Sequence, residues 1–172
     1  MTRFATARVE TELGPLFVAA TGKGVCFLKL SAQGAEEAFD SWASRHLPAG
    51  VRGSLDGLLG RASEELDAFA RGDRRVFETP LDLRGTDFQR AVWVELARIP
   101  YGQTRTYAQV ARSVGNPGAS RAVGMANHRN PVPILVPCHR VVASNGMGGF
   151  GAGAEWKRRL LALEGALLPF GG

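Results

Sequence analysis

The chain changes character once, between Thr79 and Gly85. Before that stretch, short apolar runs alternate with turns. After it the strand signal nearly vanishes and apolar residues recur at helical spacing. A 172-residue chain with this break accommodates two small domains, each with its own core. The expected boundaries are residues 1–80 for an N-terminal α/β domain, 81–85 for a linker, and 86–168 for a mostly helical domain. The fold class expected is α+β: a short, mainly antiparallel sheet with helices, followed by a helix-turn-helix module resembling a winged helix.

In the first half, Arg8–Glu12 alternates weakly and Gly14-Pro15 makes a turn. Leu16–Ala20 and Val25–Leu30 flank the turn sequence Thr21-Gly22-Lys23-Gly24, the pattern of a hairpin or meander. Helices are expected over Ala35–Trp42 and Ser54–Phe69, with Phe77, Leu81 and Leu83 in a further extended stretch. In the second half, Thr86 or Asp87 can cap a helix that carries Phe88, Ala91, Val92, Leu96 and Ile99 on one face. Pro100-Tyr101-Gly102 ends it. Thr106 can cap a helix to about Ser113, Gly115–Gly118 breaks the chain, and a further helix runs from about Ala119 to His128. That is helix-turn-helix spacing. Pro131, Pro133 and Pro137 are read as holding Ile134-Leu135-Val136 extended in front of Cys138. A glycine-rich loop from Gly146 to Gly153 precedes a last helix, about Ala154–Glu164, ended by Gly165.

Charge divides with the pattern. Residues 1–81 carry net −1, whereas residues 82–172 carry net +6, for a total of +5. A basic half beside a near-neutral one suits contact with a polyanion. No apolar run is long enough to span a bilayer, and the Met1-Thr-Arg-Phe start carries no secretory pattern. A cytoplasmic location is expected. Cys26 and Cys138 are too few for a disulfide scaffold, and no Cys or His pair has zinc-ligand spacing, so no metal is expected.

The run Pro137-Cys138-His139-Arg140-Val141 is the most informative. His139 can take the thiol proton of Cys138, directly or through a water, and Arg140, with Arg121, would favour a thiolate. For the two neighbours to share a proton path, Cys138 must begin a turn or helix, since adjacent residues of a strand point apart. Glu164 follows the stripe Trp156, Leu160, Leu163 and sits at a helix C-terminus, where a carboxylate is disfavoured unless it has a partner. His139 is the candidate partner. In the helix after the turn, Arg121 stands alone among small residues, as a probe entering a duplex would.

These residues resemble the O6-alkylguanine-DNA alkyltransferases. The resemblance spans Phe88–Glu164 and includes Phe88-Gln89-Arg90-Ala91-Val92-Trp93, Pro100-Tyr101-Gly102-Gln103-Thr104, Arg121-Ala122-Val123-Gly124, Asn130-Pro131-Val132-Pro133-Ile134, Pro137–Val141 and Leu160–Glu164. It implies a ribonuclease-H-like first domain. It implies repair of duplex DNA containing O6-alkylguanine, bound through the minor groove by a monomer without cofactor. The damaged nucleotide would be flipped out and its alkyl group moved irreversibly to Cys138, one turnover per protein; activity on O4-alkylthymine is left open. The resemblance makes Cys138 the acceptor, His139 and Glu164 a relay through water, and Arg121 the finger that replaces the flipped nucleotide. Tyr107 would crowd a phosphate and bond the guanine, and Asn130 would brace the cysteine turn. Gln89, Ala108, Asn116 and Ser144 would contact DNA. Backbone at Cys138, Val141 and Gly151 would hold the guanine edges, beside Phe150. The loop Phe150-Gly151-Ala152-Gly153 departs from the family, which carries a tyrosine there, and Cys26 with His46 cannot rebuild the zinc site some relatives have. A non-catalytic damage sensor, a plain helix-turn-helix binder and a Cys-His-Glu hydrolase are the competing classes.

Overall fold

The computed structural model describes residues 1–166, which form two compact units, Met1–Gly85 and Thr86 onward. Residues 167 and 168, included in the expected second domain, lie outside the described residues.

The first unit is built on a sheet of order β3-β2-β1-β4. Its strands are β1 (Arg3–Thr11), β2 (Gly14–Thr21), β3 (Gly24–Lys29) and β4 (Val51–Arg52). The first three form an antiparallel meander, and β4 adds in parallel beside β1. Strand β1 begins five residues before the alternation becomes legible in the sequence. The continuous apolar run of β2 reflects burial on both faces: Phe17 and Ala19 join Phe39 and Trp42 of α1 (Ala35–His46), while Leu16, Val18 and Ala20 of the other parity are also fully buried. Helix α2 (Asp56–Ala70) packs on β1, β2 and β3 with Leu59, Ala62, Leu66 and Phe69 inward. Cys26 is a buried strand residue whose thiol bonds the carbonyl of Ala19.

Residues 81–84 are not a free linker. Leu81 bridges to Val25, and the Val25 N–H donates to Pro80 C=O at 2.9 Å. Asp82 accepts from Thr21 Oγ1 and from Arg84, whose other arm reaches His46 C=O. Gly24 permits this strap: a Cβ there would lie 2.4 Å from the Pro80 carbonyl oxygen.

The second unit comprises α3 (Asp87–Ala97), β5 (Arg105–Thr106), α4 (Tyr107–Ser113), α5 (Ser120–His128), a 3₁₀ turn (Cys138–Arg140), β6 (Val141–Val142) and α6 (Ala154–Leu163). Both α3 and α4 open on complete capping boxes, Thr86 with Gln89 and Thr106 with Gln109. Helices α3, α4 and α5 pack on one another, and α4–turn–α5 is the expected helix-turn-helix. On α3 the buried face is Val92, Trp93 and Leu96, with Ile99 just beyond. Ala91, assigned to that face from spacing, is exposed. Trp93 donates its Nε1–H to the Ala126 carbonyl of α5, so the ring serves both packing and satisfaction of a helix end.

Candidate active site

The segment ahead of Cys138 is a turn, not the extended run expected from its prolines. Val136 N–H closes on Val132 C=O at 2.9 Å. Ile134 takes φ 72°, the only non-glycine residue at positive φ among the described residues. A β-branched side chain there costs on the order of 1–3 kcal/mol, so the surroundings must impose the conformation. Asn130 does so: its Nδ2 donates to Val136 C=O at 2.9 Å, and its Oδ1 accepts from Val132 N–H at 3.0 Å. Pro137 then leads into the 3₁₀ turn that Cys138 begins, and Cys138 and His139 share one turn rather than opposite faces of a strand.

His139 is fully buried, and its Nε2 lies 2.8 Å from Glu164 Oε1. A carboxylate can only accept, so Nε2 carries the proton and Nδ1 carries the lone pair. Nδ1 is buried with no hydrogen-bond partner, an acceptor held open. Glu164 stands at the C-cap of α6, against the helix dipole, and is compensated locally. Arg140 grips both its oxygens at 2.7–3.1 Å and also donates to Ile99 C=O. Gly102 N–H donates to Oε2. These partners hold the Glu164 carboxyl down at about 2, despite its burial. Burial lowers His139, outweighing the pull of Glu164, so the imidazole is neutral at pH 7.

Cys138 is 5% exposed, and burial pushes its thiol up to about 11. The resting group at pH 7 is therefore a thiol, where the sequence had suggested a standing thiolate. Asn130, the backbone N–H groups of Cys138 and His139, and Lys157 all oppose that rise. The cation that acts on the sulfur is Lys157, not Arg140, which is committed to Glu164, nor Arg121, which is exposed. Lys157 is wholly buried on α6. Its Nζ donates to Val141 C=O at 2.6 Å and to Gly149 C=O at 3.0 Å, and burial lowers it to about 8. Sequence reasoning missed it, although its position three and four residues before Leu160 and Leu161 places it within the apolar stripe.

A cavity of about 480 Å³ opens onto Cys138. Tyr107, Phe150 and Gly151 line it, as do Gly124, Met125, Asn127 and His128 of α5. Tyr107 Oη donates to Gly149 C=O at 3.5 Å. Val141 does not line the cavity: its side chain is buried beneath, in the β5–β6 pair, and its carbonyl is taken by Lys157. Arg121, Ala108, Asn116 and Ser144 are exposed, free to meet a ligand. Gln89 is half-buried and spends its Oε1 on the Thr86 N–H of the capping box. Among the described residues no cluster of His, Cys, Asp and Glu is placed to hold a metal.

The description "6-O-methylguanine DNA methyltransferase, DNA binding domain" matches residues 87–166, and the ribonuclease-like domain of the same family matches residues 5–83. The chain belongs to the 6-O-methylguanine DNA methyltransferase family. The methylated-DNA–protein-cysteine methyltransferase of Methanosarcina acetivorans is 40% identical over 159 residues, covering 91% of this chain and 96% of that protein. That of Mycobacterium tuberculosis is 41% identical over 162 residues, covering 94% and 92%. The solved structure of the Mycobacterium tuberculosis O6-methylguanine methyltransferase superposes with a TM-score of 0.77 at 39% identity, covering 96% of this chain and 93% of that one. A structure of the same protein in complex with DNA gives 0.76 at 37% identity. The α+β class with a small sheet unit and a helical unit is that of the methyltransferase family, and Cys138, His139, Glu164 and the cavity all fall within the match to its DNA-binding domain.

Proposed function

We propose that the protein repairs DNA by direct reversal, taking the alkyl group of an O6-alkylated guanine onto Cys138 and consuming itself. The observation that carries this is a buried thiol at a cavity, next to an imidazole whose tautomer Glu164 fixes with its acceptor nitrogen open.

The lesion lies inside the duplex, so the nucleotide must be extruded at a cost of a few kcal/mol. Arg121, exposed on α5, fills the vacated stack from the minor-groove side, and Ala108, Asn116 and Ser144 meet the backbone. In the cavity the Sγ–H proton passes to His139 Nδ1, directly or through a water. The thiolate is held by Lys157 and the two backbone N–H groups, and the imidazolium by Glu164. Sulfur then attacks the alkyl carbon, the carbon–O6 bond breaks, and its electron pair leaves on the base. Tyr107 donates a proton as that charge develops and recovers one from the relay. The products are a thioether on Cys138 and an unmodified guanine, with no cofactor. The thioether has no leaving path back, so each molecule acts once.

No helix is long and apolar enough to cross a membrane. A duplex DNA substrate, met inside the cell, supports the expected cytoplasmic location.

The test is incubation with a duplex bearing O6-methylguanine, followed by intact and peptide mass measurement. One methyl group should appear on the Cys138 peptide and plateau at one equivalent, and Cys138→Ala should bind the duplex without gaining mass. Release of free methanol with turnover would mark a hydrolase. Binding with no mass gain in the native protein would mark a damage sensor.

A further inference from the structure

Helix α5 presents one large apolar side chain to solvent. Met125 is 53% exposed, while its neighbours Val123 and Ala126 face the core. Exposure of a single apolar residue is ordinary in itself. Two further facts make this one different. Met125 lines the cavity that opens onto Cys138. It also lies four residues after Arg121, hence on the same face of the helix, one turn along. The order along that face is therefore the exposed cation, then the thioether, then the cavity.

We propose that Met125 is an apolar wedge that acts with Arg121 at the duplex. This rests on the reading that the protein extrudes a nucleotide into the Cys138 cavity. An extruded nucleotide leaves two unstacked faces and a bare sugar edge between the groove and the cavity. Arg121 supplies a long cation for the gap. It does not cover the apolar surface that unstacking exposes to water. An unbranched, polarisable side chain one turn nearer the cavity does so, and its freedom at three torsions lets it follow either flanking base. Minor-groove proteins use methionine among the apolar residues that prise base steps apart. Gly124, beside Met125 and also lining the cavity, adds no side chain of its own next to the thioether. Met125 is a positioning residue: it does not touch the reacting atoms, and it favours the flipped state over the stacked one.

The test compares two substrates in single-turnover transfer: a duplex oligonucleotide carrying O6-methylguanine, and the free base O6-methylguanine, which needs no unstacking. Met125→Ala is expected to lower the ratio of duplex rate to free-base rate about fivefold, the scale of one wedge contact in a base step. Met125→Leu, which keeps the apolar bulk, should restore most of the ratio, and Met125→Gln, of similar length but polar, should not. Far-UV circular dichroism checks that each variant is folded, which an exposed site favours. If Met125→Ala slows both substrates in equal proportion, Met125 is a cavity wall and the wedge is wrong. An unchanged ratio overturns it as well. If the native protein accepts a methyl group from neither substrate, the repair reading itself fails. If Arg121→Ala leaves the ratio unchanged while Met125→Ala lowers it, the finger fails and the wedge stands.

Discussion

His139 Nε2 and Glu164 Oε1 meet at 2.8 Å with both side chains sealed from solvent. The carboxylate thereby decides which ring nitrogen can receive a proton, and its charge stabilises the imidazolium that results. In Glu164→Gln the amide oxygen can still accept from Nε2, but the charge is gone and Arg140 becomes a buried cation without a carboxylate. Methyl transfer should slow by about 10²-fold or more, the usual worth of a positioned base. Stability to urea should fall by about 3–5 kcal/mol, the cost of breaking a buried pair from one side. Transfer by Glu164→Gln at the native rate would remove the relay from the mechanism.

The same carboxylate sets an acid limit on the fold. Its folded-state value, about 2, lies below the ordinary 4.5. A depressed carboxylate contributes stability that is fully present above its unfolded value and is lost as the pH falls through its folded one. Urea midpoints should therefore hold from neutral pH down to about 4.5 and decline from there toward about 2. Glu164→Gln, lacking the titration, should show a shallower decline over that window.

Much of this site was legible in the sequence, and the part that was not has a physical reason. The relay followed from Cys138 and His139 in one short run and from a glutamate placed against the helix dipole, because a disfavoured charge implies a partner. The helix starts followed from a capping side chain ahead of each helical run, Thr86 or Asp87 for the first and Thr106 for the second, whereas the glutamines that complete the capping boxes were not read. The turn over Val132–Val136 was hidden because the Asn130 side chain braces it at both ends, around the backbone bond that closes it, whereas prolines alone read as extended. Lys157 was hidden because lysine is almost never fully buried. The carbonyls of Val141 and Gly149, contributed by a strand and a loop, satisfy its ammonium in place of water. The first strand was under-read because its missed half, Arg3–Ala7, buries only the small side chain of Ala5, too weak an apolar alternation to mark a strand.

Lys157 ties the loop to the sulfur, and its replacement should show in the pH profile of methyl transfer. Lys157→Met keeps most of the volume and removes the charge that opposes the rise of Cys138. Transfer at pH 7 should slow, because the thiolate that appears as the proton moves to His139 then forms with no cation beside it. In the native protein the ammonium itself is lost as pH rises through about 8. Its help to the thiolate is therefore present below that value and fades above it, a dependence that Lys157→Met should abolish. A native-like fall in transfer rate above about 8 that persists in Lys157→Met would show that Lys157 only supports the loop.

Gly148 is where the glycine-rich loop passes closest to Tyr107. Its φ is +74°, and a Cβ there would lie 2.7 Å from Tyr107 Oη and 2.9 Å from the ring. Gly148→Ala pays about 1–2 kcal/mol for the left-handed backbone. It also forces either the loop or the phenol to move, so the Tyr107 hydroxyl leaves Gly149 C=O and its place in the cavity. Gly146→Ala is the control for a methyl in the same loop with neither problem, since Gly146 is not at positive φ and a Cβ there meets nothing within 4 Å. Gly148→Ala should slow transfer by about tenfold or more, because a donor displaced by an ångström no longer meets the developing charge. Gly146→Ala should leave the rate near native. Tyr107→Phe separates the causes: if the hydroxyl is what Gly148→Ala misplaces, the double variant should be no slower than Tyr107→Phe alone. A double variant slowed by the product of both single effects would instead place the damage in the loop, independent of the phenol.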